Sequence, residues 1–275
     1  MKRVAYCSDL HGNQERYQIF FAIEADYYVI GGDLLPKRGT LQSLYPKQRN
    51  FMKEFLKPLL EKNKSDTTTL LMLGNDDLEP FERDLLNFEG DGLCKQLHGN
   101  KFAIEDFELI GFKYIPPTPF SLKGIERRDS RGIIDPLHRL YSSFIFKDDG
   151  SAIKIDFEAY LKSQPSIAEL LEALPKPADF SKTIYVMHSP PYDTMIDVTV
   201  QGIPVGSIDI RNFILKYQPP LLLCGHIHES PGTVQLGKTI CINPGQLHEF
   251  AYSLFEIENG SIKFLKIPPK LDEKK

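Results

Sequence analysis

The sequence predicts an α/β fold whose functional groups gather along one edge of a sheet, and two observations support this prediction. Over the first 75 residues, apolar runs typical of β-strands alternate with segments whose apolar side chains have helical spacing. Such a βαβαβ alternation implies parallel strands joined by crossover helices. Five short polar motifs each follow a strand-like run, and open α/β sheets bind ligands beyond the carboxyl ends of their strands.

The predicted elements of the first 75 residues can be given in chain order. Strands are predicted over residues 4–7, 27–30 and 69–73. Helices are predicted over 13–24 and 47–62, with Asn13 as the candidate N-cap of the first. Pro58 lies late in the second helix and is expected to kink or end it.

Beyond residue 100 the pattern is less regular. A hairpin is predicted over 101–115, helices over 167–174 and 208–216, and strands over 182–187, 221–224, 232–236, 239–242, 251–257 and 261–267. The segment 116–149 is rich in Pro, Gly, Arg and Asp and is longer than an ordinary connection. We expect it to form a lid or specificity loop within a single domain that spans residues 1–275, with a frayed tail at 270–275.

The bulk composition is that of an ordinary globular protein, with 41% hydrophobic residues, 25% charged residues and a net charge of -4. Because no basic surplus exists, a dedicated nucleic-acid-binding face is not expected, although nucleic acid is not excluded as a substrate. No signal-peptide pattern and no apolar run of membrane-spanning length are present, so we expect a cytoplasmic protein without membrane insertion. The four cysteines lack metal-site spacing and are expected to be free thiols, three of them in apolar strands.

The five polar motifs supply carboxylate oxygen, amide oxygen and imidazole nitrogen, which are donors for divalent cations. They are Ser8-Asp9-Leu10-His11-Gly12-Asn13, Gly31-Gly32-Asp33, Gly74-Asn75-Asp76-Asp77, His188-Ser189-Pro190-Pro191 and Gly225-His226-Ile227-His228. In extended backbone, Asp9 and His11 would point the same way, as would His226 and His228. Two carboxylates, one amide and four histidines are too many ligands for one ion. They fit two ions if a carboxylate bridges, an arrangement suited to phosphoester hydrolysis with ions about 3.5–4 Å apart.

In this order, these motifs resemble those of the calcineurin-like metallophosphoesterases over nearly the whole chain. Ile242-Asn243-Pro244-Gly245 resembles the segment that follows in bacterial and archaeal members. The resemblance implies a four-layer αββα sandwich with two central mixed β-sheets. It also implies an enzyme that attacks a phosphoester in line with metal-bound hydroxide. Two divalent metal ions are implied as cofactors, with manganese favoured and iron, zinc or nickel as alternatives.

The resemblance assigns roles to particular residues. It implies that Asp33 bridges two metal ions, each of which has further ligands. The first ion is bound by Asp9, His11, Asp33 and His228, and the second by Asp33, Asn75, His188 and His226. Catalytic roles are expected for Asp33, Asn75, Asp76 and His188.

Asp76 departs from the family pattern, because many members carry a histidine there that helps to protonate the leaving group. A carboxylate beside two cations should stay ionised and is then a poor general acid. We therefore expect action on phosphodiesters rather than on alkyl phosphomonoesters. Asp76 is alternatively a further metal contact or points away from the site, and His248 is either a substitute acid or, as we favour, a surface or supporting residue.

Other polar residues leave two interpretations open. Arg127, Arg128, Arg131 and Arg139 either orient a phosphate or, as we favour, belong to a solvated loop of mixed charge. Asn13 is an N-cap, a phosphate contact or both. Asp77 either caps a turn or supports the metal ligands, and the 243–245 segment is alternatively only a tight turn. His98 and His138 have no supporting pattern.

The favoured function is a phosphodiesterase that acts on a small molecule or nucleotide. The first alternative is a phosphomonoesterase for a small metabolite or a phosphoprotein. A non-catalytic interaction module is less favoured, because every ligand position of the motifs is occupied by a donor residue. The sequence does not indicate the oligomeric state.

Overall fold

The structure, a computed structural model, describes residues 1–130, 142–246 and 252–271. The strands are β1 (Lys2–Cys7), β2 (Tyr27–Ile30), β3 (Thr68–Leu71), β4 (Lys95–Gln96), β5 (Lys101–Ile104), β6 (Phe107–Phe112), β7 (Ser143–Phe146), β8 (Ala152–Ile155), β9 (Thr183–Met187), β10 (Leu221–Leu223), β11 (Gly232–Leu236), β12 (Thr239–Asn243), β13 (Ser253–Glu258) and β14 (Ser261–Lys266). The helices are α1 (Gln14–Phe21), α2 (Leu41–Phe51), α3 (Lys57–Asn63), α4 (Phe81–Gly90), α5 (Phe157–Ser163), α6 (Ile167–Glu172) and α7 (Ile208–Tyr217).

Two mixed six-stranded sheets form the centre of the fold. The first has the order β14-β13-β1-β2-β3-β4, and the second has the order β11-β12-β10-β9-β6-β5. Neighbours from β1 to β4 run parallel, as do β6, β9, β10 and β12, whereas the outer strands β13, β14, β11 and β5 pair antiparallel. The predicted βαβαβ start and the predicted hairpin at 101–115 are confirmed.

Three apolar clusters separate four layers. One cluster fills the space between the sheets and draws Val4, Val29 and Leu70 from the first sheet and Ile184 and Leu221 from the second. A second cluster lies between the first sheet and helices α1 to α4, and a third lies between the second sheet and helices α6 and α7. The αββα sandwich implied by the family resemblance is therefore confirmed.

The two sheets also meet through a polar contact close to the polar motifs. The Tyr6 hydroxyl of β1 is buried and donates to the Cys224 carbonyl, just beyond β10, at 2.8 Å. Gly31 lies against the same ring, and a Cβ at Gly31 would collide with the Tyr6 hydroxyl. The glycine therefore permits the close approach of β2 to β1 at the carboxyl edge of the sheet.

Five helices begin where side chains cap them, namely α1, α2, α5, α6 and α7. Asn13 accepts from Arg16 N and starts α1, as predicted. The predicted helix at 47–62 begins earlier, because Thr40 and Ser43 form a capping box ahead of α2. Pro58 does not end this helical segment, so that alternative of the prediction is wrong. A π-helical turn over Met52–Leu56 joins α2 to α3, and Pro58 falls in the first turn of α3, where its missing N–H costs least.

Some elements were not predicted, namely α4, α5 and the strands β4, β7 and β8. The strands β7 and β8 form a hairpin at the end of the 116–149 segment, which is therefore not wholly irregular. All four cysteines are buried and free, in agreement with the expectation. Within the described residues, no helix combines the length and apolar character needed to cross a membrane.

Candidate metal centre

The five polar motifs follow β1, β2, β3, β9 and β10, and their loops meet at the carboxyl edges of both sheets. Backbone hydrogen bonds join neighbouring loops. Asp9 N donates to Gly32 O at 3.0 Å, and His11 N donates to Asp33 O at 2.8 Å. Across the seam between the sheets, the His226 N–H donates to the Asp9 carboxylate at 3.0 Å. These bonds hold the loops that carry Asp9, His11, Asp33 and His226 against one another.

The first group of donors comprises Asp9, His11, Asp33 and His228, one ligand atom of each lying within 4.8 Å of the others. His228 Nε2 lies 3.1 Å from Asp9 Oδ1 and 3.1 Å from His11 Nε2. His11 Nε2 also lies 3.6 Å from Asp33 Oδ2. These are the four residues that the family resemblance implies as ligands of the first metal ion.

The second group lies on the other side of Asp33. His188 Nε2 lies 3.0 Å from the Asn75 amide oxygen and 3.6 Å from Asp33 Oδ2. The His226 ring is packed beside the His188 ring, with 5.3 Å between the centroids. Asp33 thus faces both groups, which is the position that a bridging carboxylate requires.

The backbone at several donor residues is not extended. The expectation that Asp9 and His11 lie on extended backbone is therefore wrong. Asp9, His11, Asp33 and His226 have φ values of 60°, 46°, 53° and 66°, in the left-handed region. The side chains still converge, because tight left-handed turns replace extended chain. Non-glycine residues hold this conformation only where surrounding contacts fix it, and such strain is typical of functional sites.

Glycines in the motifs allow the loops to pack closely around the donors. A Cβ at Gly74 would collide with the Asp33 carboxylate, and a Cβ at Gly225 would collide with the Asp9 carboxylate. The glycine before Asn75 and the glycine before His226 are therefore needed for the carboxylates to occupy their places.

Hydrogen bonding sets which histidine nitrogen faces the cluster. His188 Nδ1 donates to the Gly31 carbonyl at 2.9 Å, so Nε2 is the nitrogen that faces Asn75 and Asp33. His11 Nδ1 is buried, has no hydrogen-bond partner and lies 3.6 Å from Asp76 Oδ2, while Nε2 faces the cluster. Both rings therefore direct Nε2 inward, as metal-binding imidazoles do.

The protein groups alone give this cluster perturbed pKa values. Burial by itself would raise the pKa of Asp33, but the charges of His188 and His11 outweigh it and lower the pKa to about 2. Burial would lower the pKa of His188, but Asp33 and the hydrogen bond to it raise that pKa to about 9. Burial lowers the pKa of His11 to about 4 and that of His226 to about 3. Metal binding requires neutral imidazole, so a cation would displace the proton of His188.

These donors fit a divalent cation. Asp9 and Asp33 are buried carboxylates whose side chains are 0% and 1% exposed, and the His11 imidazole lies close to both. The mixed set of carboxylate, amide and imidazole suits Mn, Fe, Zn and Ni. His11 Nδ1 is buried and has no hydrogen-bond partner. The neutral His11 ring can therefore carry its proton on Nδ1, which leaves Nε2 as the nitrogen that faces the cluster.

Asp76 does not point away from the site. Its N–H donates to Asp33 Oδ1 at 2.8 Å, and its carboxylate lies near His11 Nδ1 and 3.8 Å from Lys37 Nζ. Burial and then the charge of Asp33 raise the pKa of the Asp76 carboxyl to about 7, whereas Lys37 lowers it. Bound cations act in the same direction as Lys37.

Several polar residues support the ligand loops. Asp77 accepts from the N–H groups of Leu34, Leu35 and Gly74 at 2.9, 2.7 and 2.8 Å, and therefore joins the Asp33 loop to the Asn75 loop. This contact agrees with its expected supporting role. Asn13 caps α1, and its described contact is with Arg16 N.

Two more supports lie on the side of the second sheet. Asn243 donates to the Ile227 carbonyl at 2.9 Å and fixes the His226–His228 loop, so the 243–245 segment is more than a tight turn. Gln246 donates to the Asp9 carbonyl at 2.7 Å. The sequence analysis missed Gln246 and Lys37, because neither belongs to a motif with a chemical signature.

The two arginines of the 116–149 segment that the structure describes have structural contacts. Arg127 is buried, lies 4.3 Å from the centroid of the Tyr114 ring and donates to Gly124 O at 2.8 Å. Arg128 donates to Leu161 O at 3.0 Å. The favoured expectation of a solvated loop is therefore wrong for Arg127. Arg131, Arg139, His138 and His248 lie outside the described residues, and their roles stay predictions.

Comparisons with known proteins agree with this geometry. The sequence model of the calcineurin-like phosphoesterases matches residues 2–230. A 71-residue stretch is 41% identical to the uncharacterized protein MJ1162 of Methanocaldococcus jannaschii and covers 24% of this chain. The match spans only 33% of the length of that relative.

Solved structures share the fold over most of their length. The protein TT1561 of Thermus thermophilus has a TM-score of 0.54 and 17% identity, with 96% of this chain and 97% of that chain covered. The phosphopantetheinyl hydrolase PptH of Mycobacterium tuberculosis has a TM-score of 0.55 and 13% identity, with 88% of each chain covered. At these identities the likeness is one of fold. The family match over most of the chain, in agreement with the cluster of donors, leads to one conclusion: the chain belongs to the calcineurin-like phosphoesterase family.

Proposed function

We propose that this protein is a metal-dependent phosphoester hydrolase that cleaves phosphodiesters, with a small molecule or nucleotide as substrate. The observation that carries the proposal is Asp76, a carboxylate beside Lys37 at the position that follows Asn75. An imidazole there would hold a proton for the departing oxygen, whereas a carboxylate next to an ammonium and two cations stays ionised. Leaving groups that need little protonation are then favoured.

We further propose which residues hold the metal ions. Asp9, His11, Asp33 and His228 would bind one ion, and Asp33, Asn75, His188 and His226 the other. When bound, such a pair supplies an activated water and neutralises charge on the phosphoryl group. Manganese is our first choice among the ions that fit mixed nitrogen and oxygen donors. These assignments are supported by the distances around Asp33.

The contributions of the chain itself follow from burial and hydrogen bonds. Asp33 stays ionised between the two histidine groups, and the Gly31 carbonyl, which accepts from Nδ1, keeps His188 Nε2 directed at the cluster. The hydrolysis consumes one water, breaks the P–O bond to the leaving group and yields a phosphomonoester and an alcohol. A single domain is also part of this proposal, since β1 pairs with β13 in one sheet. A location in the cytoplasm stays a prediction.

The test is hydrolysis of bis(p-nitrophenyl) phosphate against p-nitrophenyl phosphate by manganese-loaded protein, with a chelated blank. We expect chelator-sensitive cleavage that is faster for the diester. A faster monoester reaction would contradict the diester preference, and undiminished turnover after chelation would contradict the metal-dependent mechanism.

Asp33→Asn tests the bridging role in the same assay. We expect diester turnover to fall by at least about 100-fold and bound metal to fall below two ions, because an amide bridges two cations poorly. Asp66→Asn is the matched control, since Asp66 is exposed and remote from the motifs. Full activity and full metal content in Asp33→Asn would contradict the assignment.

A further inference from the structure

The Tyr6 hydroxyl lies at the seam between the two sheets. Among the described residues of the buried cluster that fills this seam, Tyr6 alone carries a hydroxyl group. Its side chain is fully buried, and the hydroxyl donates to Cys224 O at 2.8 Å. Phenylalanine occupies other positions of the same cluster, at Phe107 and Phe255, so packing alone does not require the oxygen. A buried polar atom costs free energy unless it is hydrogen-bonded, so the contacts of this oxygen explain its presence.

The first contact of the hydroxyl is with the peptide unit that precedes His226. Cys224 O accepts from Tyr6, and the Gly225 N–H of the same peptide unit donates to His188 O at 3.0 Å. The carbonyl and the N–H of one peptide unit lie in one plane, so fixing the carbonyl also fixes the N–H that His188 accepts. The hydroxyl of the first sheet therefore orients the backbone that leads into His226 in the second sheet.

The second contact is with the loop that carries Asp33. Gly31 lies against the Tyr6 ring and hydroxyl, and a Cβ at Gly31 would collide with both. The Gly31 carbonyl accepts from His188 Nδ1 at 2.9 Å, which sets the nitrogen of that ring that faces Asn75. Tyr6 thus contacts two backbone segments that hold His188. One accepts from its ring, and the other donates to its carbonyl.

We infer that Tyr6 is a positioning residue for the second group of donors, whose hydroxyl holds the loops of His188 and His226 in place. This inference rests on the proposed function of the site. The loops of the first group are joined by bonds within the first sheet, such as His11 N to Asp33 O, which do not involve Tyr6. Loss of the hydroxyl should therefore weaken the binding of one metal ion more than that of the other. Removing a residue that orients metal ligands typically lowers metal affinity about 10- to 100-fold.

The test compares Tyr6→Phe with the parent protein and with the matched control Tyr28→Phe. Tyr28 is also buried, and its hydroxyl donates to Ile23 O on the helix side of the first sheet, so the control loses a similar bond away from the motifs. In calorimetric titrations with manganese, we expect Tyr6→Phe to weaken one binding step about tenfold and to leave the other within about threefold. Diester turnover at limiting manganese should fall in the same proportion and should recover at saturating manganese. Tyr28→Phe should match the parent.

Two further variants assign the weakened binding step to a group of donors. His228→Ala removes a donor of the first group, so the binding step that remains should keep its sensitivity to Tyr6→Phe. His226→Ala removes a donor of the second group, so the step that remains should be insensitive to Tyr6→Phe. The opposite pattern would place the effect of Tyr6 on the first group and would overturn the inference.

Amide hydrogen exchange of the metal-free proteins tests the same inference without metal. Tyr6→Phe should speed exchange of the Gly225 and His226 N–H groups by about tenfold, because Cys224 O loses its buried donor and the loop opens more often. Unchanged exchange at both amides, equal weakening of both binding steps, or the same losses in Tyr28→Phe would each overturn the inference. If the parent bound no pair of manganese ions, the proposed function would fail. The exchange comparison would still decide whether Tyr6 holds these loops.

Discussion

Four residues of the proposed metal centre hold left-handed backbone, although none is glycine: Asp9, His11, Asp33 and His226. Such conformations cost on the order of 1–3 kcal/mol each and persist only where other contacts determine them. The contacts here are hydrogen bonds between loops, such as His11 N to Asp33 O. The residue types of the site could be predicted from the sequence. The left-handed backbone could not, because it depends on hydrogen bonds between loops that follow different strands.

Asp76→His tests the role of the residue after Asn75. We expect cleavage of glycerol 2-phosphate, a monoester with an alkyl leaving group, to increase by about tenfold or more, because an imidazole supplies the missing general acid. Kinetics of the manganese-loaded variant would measure the change, and Asp76→Asn serves as the control that removes the charge without adding an acid. If Asp76→His gained no more than Asp76→Asn, the explanation for the diester preference would be wrong.

His98 gives a pH dependence to stability that is separate from the metal centre. Burial, followed by the charges of Lys113 and Arg127, lowers its pKa from 6.5 to about 3, and its Nδ1 accepts from Lys113 N at 3.3 Å. Between those pH values the unfolded chain takes up a proton that the folded protein does not. Its contribution to stability is therefore full above about pH 6.5 and is lost as pH falls.

His98→Gln should remove this contribution. Between pH 7 and pH 5, we expect the free energy of unfolding of the variant to fall less than that of the parent, by about 2 kcal/mol. Denaturant titrations of both proteins at the two pH values would measure the difference, with the chelator present in all samples. Equal losses in parent and variant would show that His98 titrates normally in the folded protein.

At the scale of elements, predictions succeeded where the pattern was local and failed where it was not. The strands that carry the motifs were predicted, because each is an apolar run that ends at a polar motif. Helix α4 was missed, although Phe81, Leu85 and Phe88 have helical spacing and are buried. Its N-cap residue is Pro80, which provides no side-chain cap, so no capping residue in the sequence marked the start of the helix. Strands β7 and β8 are short and lie in a polar segment, where composition indicated a loop.

Gln48 shows how a helix fixes two loops of the site. Gln48→Leu would leave Pro36 O, Asp76 O and Leu78 N without their buried partner. We expect a loss of about 2–4 kcal/mol in the free energy of unfolding, because unsatisfied buried polar groups cost about 1–3 kcal/mol each. Guanidinium titration would measure it, and Gln42→Leu, at an exposed position of α2, should stay within about 0.5 kcal/mol of the parent. Comparable losses in the two variants would refute this role of Gln48.

At the scale of the whole molecule, the proposed metal centre lies on the seam between the two sheets. Asp9, Asp33 and Asn75 follow strands of the first sheet, whereas His188 and His226 follow strands of the second. Their order in the sequence does not reveal this division, because nothing in a motif tells which sheet its strand joins. Metal ions that these residues hold would therefore connect the two halves of the sandwich, in addition to the apolar cluster between them.

The stability of the molecule should consequently depend on metal. Ions that bind only the folded state stabilise it by about 4 kcal/mol when present at 1,000 times their Kd. We expect manganese to raise, and chelation to lower, the guanidinium midpoint of the parent protein. Asp33→Asn should lose most of this stabilisation by manganese, because Asp33 faces both donor groups. The control Asp66→Asn should keep it. If Asp33→Asn gained as much stability from manganese as the parent, the ions would bind elsewhere, and the seam between the sheets would be held by apolar packing and hydrogen bonds without metal.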